Sequence, residues 1–219
     1  MPPEAAHCDI TPRDAPRCNT GPGGEQEIFS LPELIEIFDL KGISKSPAIF
    51  DIEKLKYFNA EYIRALSPEA FAAVAEPFIR QAVKNPAIDP AAIAALLQQR
   101  TEVLTDIPEK LDFFDVLPEY DASLFVHQKS KSSTESAKAV LEDIIPQFEA
   151  LDSWTDENLL GIMNALTECM GVKKSVVMWP VRIAAAGKAV TPGGAVEICR
   201  ILGKEETLRR LRIGLQKLC

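Results

Sequence analysis

Apolar residues in this 219-residue chain recur at helical spacing, in short blocks that each open on a helix-start signal. Ser30 stands three residues before Glu33, the spacing of a capping box, with Pro32 in the first turn. Leu31, Leu34, Ile35 and Phe38 share one face of the helix that follows. Asp51 caps DIEKLKYFNAEYIRAL, where Ile52, Leu55, Phe58, Tyr62 and Ile63 lie on one side. Ser67-Pro68 and Asp89-Pro90 open the next two, PEAFAAVAEPFIRQAV and PAAIAALLQQRTEVL. In each, proline sits where its missing N–H leaves nothing unsatisfied. Ser132 with Glu135, Thr155, and Thr191-Pro192 mark three further starts. Gly203 ends a helix, and Leu208, Leu211, Leu215 and Leu218 form a stripe along the last one.

Strand signals are poor by comparison. Only Ser175–Trp179 is β-branched enough to suggest one, and Gly171 and Pro180 leave it short. The pattern predicts an all-α fold of short capped helices in two helical subdomains. Residues 1–23 read as a leader rich in proline and glycine, 24–116 as the first subdomain and 117–219 as the second. Leu111–Val116 is an apolar run, and Pro118–Ser133 a polar connection anchored by Tyr120 and Phe125.

Charge changes this picture at one end. The chain carries a net charge of −8, yet Gly171–Cys219 holds ten basic residues against three acidic ones, which leaves −15 on the first 170. A basic segment on an acidic chain points to a polyanionic partner, or to a solvated basic face. No apolar run approaches a membrane span and the N-terminus lacks the apolar core of a signal peptide, so the expected location is cytoplasmic. Five scattered cysteines without CxxC spacing, and two histidines (His7 and His127), assemble neither a metal site nor a nucleophile–base pair.

Among individual residues, Arg100 offers a planar fork suited to a base edge or a solvated helix end. Thr191 reads as a cap that can also bind, while Gly193 and Gly194 leave free N–H groups where an anion can sit. Met178 and Trp179 suit a core or a stacked base. Asp156 and Glu157 are adjacent on a helix and do not face one another, so they form no acid–base pair. Lys45 lies in ISKS, a sequence similar to part of the KMSKS loop that binds ATP phosphates in class I aminoacyl-tRNA synthetases. Here Gly42 replaces the first lysine and no strand or HIGH motif precedes it.

Several long stretches together carry a more specific resemblance. GEQEIFSLPELIEIFDLKGISKSPAIFDIEKLKYFNAEYIRALSPEAF (24–71) resembles a bacterial glutamyl-tRNA synthetase segment of the form FSLEELI…FDL…ISKSPA.FD..KL.W.N..YI. LLQQRTEVLTDIPEKLDFF (96–114), GVKKSVVMWPVRIAAAGKAVTPG (171–193) and LGKEETLRRLRIGL (202–215) follow in the family's order. The resemblance implies the stem-contact and helical anticodon-binding portion of that enzyme, with transfer RNA, most specifically tRNA(Glu), as partner; the expected state is a monomer. It further implies that the segment with Lys45 approaches the inner corner of the tRNA, that Arg100 reads the last anticodon base, and that Thr191, Pro192 and Gly193 receive other bases. Gly194 stands where relatives carry a larger apolar residue. Lys173 and Lys174, at the head of the basic segment, are the expected phosphate contacts. No cofactor is expected here, because ATP and magnesium belong to the family's catalytic domain, which this chain does not resemble. A module that docks a separate catalytic half is the competing reading, and an autonomous small enzyme ranks below both.

Overall fold

The computed structural model describes residues 28–38 and 51–219, and among them helices and turns account for the whole architecture. The first group comprises α1 (Leu31–Ile37), α2 (Ile52–Ala65), α3 (Pro68–Ala82), α4 (Pro90–Leu97) and α5 (Ile107–Leu111). The second comprises α6 (Thr134–Glu149), α7 (Asp156–Cys169), α8 (Lys174–Ala186), α9 (Ala195–Leu202) and α10 (Lys204–Lys217). The leader and the ISKS stretch fall outside the described residues.

Capping chemistry sets most boundaries. Ser30 and Glu33 form the reciprocal box at α1. Asp51 accepts from the Glu53 and Lys54 amides at 3.0 and 3.1 Å. Ser67, Asp89 and Thr155 cap α3, α4 and α7 as their sequences predict. Two expected starts shift. The box at α6 joins Ser133 to Ser136 instead of Ser132 to Glu135, because Ser132 pairs its backbone with His127 in an isolated bridge one residue earlier. Helix α9 begins at Ala195 behind Gly194, not at Thr191-Pro192. The Thr191 hydroxyl donates to the Gly193 carbonyl at 2.8 Å and caps no helix. Ser175–Trp179, the one stretch with a strand signal, is helical, and Pro180 lies inside α8.

The two groups share one hydrophobic cluster. Helix α3 packs on α4 and α5, with Phe71, Ile79, Ile93 and Leu97 fully buried. Helix α6 packs on α7, α8 and α10 around Leu141, Phe148, Val181 and Leu211. Phe113 and Phe114, stacked at 4.3 Å, lie at the junction, and Tyr120 and Phe125 are buried beside them. The apolar face of α1 forms as its spacing predicts but stays exposed: Leu31 is 69% accessible and Ile35 68%.

The largest fully buried side chain is a charged one. Arg210 of α10 donates to the carbonyls of Phe113 (2.7 Å), Ala185 (2.8 Å) and Phe114 (3.1 Å), and its Nε to Glu206 at 2.5 Å. A buried guanidinium needs each donor satisfied, and here one side chain joins the end of the first group to the last turn of α8.

Candidate nucleic-acid interface

A short 3-10 turn, Gln98–Arg100, follows α4 and sorts its side chains by role. Gln98 is buried and its amide donates to the Ile63 and Leu66 carbonyls at 3.2 and 2.8 Å. Thr101 is buried and donates to the Leu97 carbonyl at 2.9 Å. Arg100, between them, is exposed and donates to the carbonyl of Pro192, ninety-two positions away. The turn is therefore pinned to α2 from within while its guanidinium faces the second group of helices.

The opposing wall is the loop between α8 and α9. Gly187 ends α8 with φ +66°, and a Cβ there would stand 2.9 Å from Pro118 Cγ, so both backbone and space require glycine. Lys188 then reaches back to Asp112 at 2.5 Å, and Arg182 of α8 donates to the Ala189 carbonyl at 3.0 Å. Pro192 and Gly193 are buried, Gly193 so closely that a Cβ would lie 2.9 Å from Leu96 Cδ1. Gly194 is exposed, and a Cβ there meets only the movable Glu197 carboxylate.

Between the walls lies a groove of about 640 Å³ lined by Leu97, Arg100, Asp106, Glu109, Lys110, Lys188, Ala189, Val190, Thr191 and Pro192. Arg100, Lys110 and Lys188 line it with Asp106 and Glu109, and Lys188 is already paired with Asp112. Val190 is 86% exposed at the rim, and burial together with the nearby Arg100 charge pulls the Arg182 pKa down. A groove that offers an arginine fork and an exposed apolar rim suits a planar, polar ligand such as an unstacked nucleotide base. Among the described residues, no cluster of His, Cys, Asp or Glu is arranged to hold a metal ion, and no helix is long and apolar enough to cross a membrane.

Arg100, Thr191, Pro192 and Gly193 thus converge, with Gly194 beside them. Lys173 and Lys174 are exposed at the opposite end of α8, and Lys45 lies outside the described residues. Trp179 is half-buried and engaged by the protein itself: His127 stacks on it at 3.8 Å, Arg182 lies 4.6 Å from its centroid, and its indole N–H donates to the Leu124 carbonyl at 2.9 Å. That arrangement favours its core role over base stacking. Sequence reasoning counted Arg182 and Lys188 among the basic residues without singling them out. The available signal was Arg182 three residues after Trp179, one helical turn along the same face.

An all-helical scaffold holding a cation-lined groove between two helical groups defines a binding module. The chain belongs to the family described as the anticodon binding domain, whose model matches residues 53–215. It is 49% identical over 197 residues to the glutamate–tRNA ligase of Clostridium botulinum (strain Hall), covering 90% of this chain and 40% of that protein. It is 48% identical, over the same shares, to that of Clostridium tetani. The fold superposes on a crystal structure of a glutamate tRNA ligase from Elizabethkingia meningosepticum with a TM-score of 0.70 and 26% identity, covering 89% of this chain and 38% of that one. The chain therefore spans about 40% of the length of the curated relatives it matches, and the matched portion is the C-terminal one.

Proposed function

We propose that this chain is the tRNA-selecting portion of a glutamate–tRNA ligase, acting in the cytoplasm as a monomer. Its groove receives unstacked anticodon bases of tRNA(Glu), with Arg100 at a base edge and the Thr191–Gly194 turn beside neighbouring bases. Lys173 and Lys174 contact phosphates. The observation that carries this reading is the meeting of Arg100 with the Pro192 carbonyl: two segments far apart in sequence build one donor-lined wall pair. Arg100 leaves the rest of its five-donor fork for a ligand. Selection in a full enzyme follows from geometry, since a correctly seated anticodon orients the rest of the tRNA toward the distant site of chemistry.

Anisotropy titrations with glutamate tRNA and with transcripts substituted at each anticodon base test this directly. Arg100→Ala is expected to lose about 1–3 kcal/mol of discrimination at one base, and little at the others. Wild-type and variant chains that bind all transcripts equally contradict the proposal.

A further inference from the structure

One face of α8 links the groove to a second group of cations. Ser175, Trp179 and Arg182 fall at i, i+4 and i+7, a single stripe along the helix. At the C-terminal end of the stripe, Arg182 holds the Ala189 carbonyl at the groove rim. At the other end, the Ser175 hydroxyl donates to the Ser130 carbonyl at 3.4 Å, and Trp179 carries the His127 ring. The 127–132 loop is thereby fastened to the start of α8. It is closed by the paired backbones of His127 and Ser132 (3.0 and 3.1 Å) and by the Lys131 amide donating to the Gln128 carbonyl at 3.1 Å.

That loop presents Lys129 and Lys131 beside Lys173 and Lys174, all four exposed. Among the described residues, no carboxylate lies in ion-pair reach of any of them. The loop itself is held by backbone groups, Ser130 and His127, so its lysine side chains have no structural task. Glu135, the acidic residue closest in sequence to the loop, lies in the first turn of α6, where hydrogen bonding to Ser133 lowers its carboxyl pKa. Four unpaired cations on a fastened loop and helix end make a site for a polyanion backbone, where unpaired lysines release the most counterions.

We propose that Lys129, Lys131, Lys173 and Lys174 form a second RNA contact that grips the phosphate backbone of the stem below the bases seated in the groove. This rests on the reading of the groove as an anticodon site. Helix α8, with 13 residues, is about 20 Å long. That length matches about six nucleotide steps of a stacked strand, so bases in the groove place paired stem phosphates at the lysines. The contact is to backbone and carries no base preference.

The test uses the full chain with a synthetic RNA hairpin carrying the glutamate anticodon on a five-base-pair stem, the same hairpin with substituted anticodon bases, and the loop sequence alone as an unpaired strand. Affinities are measured across a salt series for wild type and for Lys129→Gln combined with Lys131→Asn, the asparagine suiting the left-handed backbone at position 131 (φ 55°). The double variant is expected to bind every hairpin about ten-fold more weakly at 0.1 M salt, with the salt slope reduced by about 1–2, unchanged base discrimination and no change on the unpaired loop. Wild-type affinity and slope in a variant with an unchanged circular dichroism spectrum overturn the proposal, and so does an equal loss on the unpaired loop. A wild-type chain that binds cognate and substituted hairpins alike overturns the groove reading, while the lysine slope still reports separately on the patch. No RNA binding by wild type overturns both.

Discussion

Helix α10 and the far end of α8 both belong to the basic end of the chain, yet they use their cations in opposite ways. On α10, Glu206 binds Arg209 and Arg210, Arg212 reaches Glu149, and Lys217 faces Glu119. Lys204 donates to the Glu149 and Leu151 carbonyls, and on α9 Arg200 pairs with Asp156. Around α8, Lys173, Lys174 and Arg182 have no carboxylate partner among the described residues, and Arg100 from the first group joins Arg182 at the groove end. Net charge along a sequence therefore overstates the surface offered to a polyanion. What matters is whether each cation already has a carboxylate partner within the fold.

The comparison sharpens first within α10 itself. Arg210→Ala removes the buried guanidinium, leaves three carbonyls without their donor and leaves Glu206 with Arg209 alone. A loss of about 3–5 kcal/mol is expected in urea denaturation. Arg212→Ala, two residues on and exposed, is expected to lose less than about 1 kcal/mol. Equal losses break the distinction between the buried clamp and the surface pairs.

Acid offers the next largest effect. Hydrogen bonding to Arg209 and then Arg210 outweighs burial and holds the Glu206 carboxyl well below its usual 4.5, at about 2. A depressed folded-state pKa stabilises above the unfolded value, so the contribution is complete above pH 4.5 and lost as pH falls toward 2. With about a third of the side chain open to screening water, roughly 2 kcal/mol is at stake. Denaturation midpoints at pH 5 and pH 3 should separate in the wild type by more than in Glu206→Gln.

A smaller effect belongs to the groove. Gly187→Ala places a side chain at φ +66° against Pro118, with an expected loss of about 1–2 kcal/mol from the backbone term and weakened RNA discrimination. Lys188→Ala, which breaks a half-exposed pair with Asp112, is expected to change stability by less than about 1 kcal/mol. A stable Gly187→Ala chain with unchanged RNA discrimination would show that the loop accepts another path.

Much of this fold was legible in the sequence, because its helices begin with side chains that satisfy their own first amides: Ser30, Asp51, Ser67, Asp89 and Thr155 each name a boundary. Helices α8, α9 and α10 have no side-chain cap, and there the expected start at Thr191 missed Ala195. Ser175–Trp179 drew the one strand signal, cut short by Pro180, because local β-branching favours an extended run, whereas packing of α8 on its neighbours makes the segment helical through the proline. The pairing of Glu206 with Arg209 and Arg210 was readable as i+3 and i+4 spacing. The pairs of Lys188 with Asp112 and Arg212 with Glu149 join distant segments, and no local pattern reveals them. Arg100 and the turn at 191–194 were likewise singled out separately, and only the fold brings them together.

The most direct test of the division between engaged and available cations is the salt dependence of hairpin binding in two variants. Lys173→Gln combined with Lys174→Gln is set beside Arg209→Gln combined with Arg212→Gln, equal in charge removed. The lysine pair is expected to weaken binding and lower the salt slope by about 1–2, while the arginine pair leaves both near wild type. Equal loss of slope in the two variants contradicts the account, because it would mean that the ion-paired face of α10 meets the RNA as well.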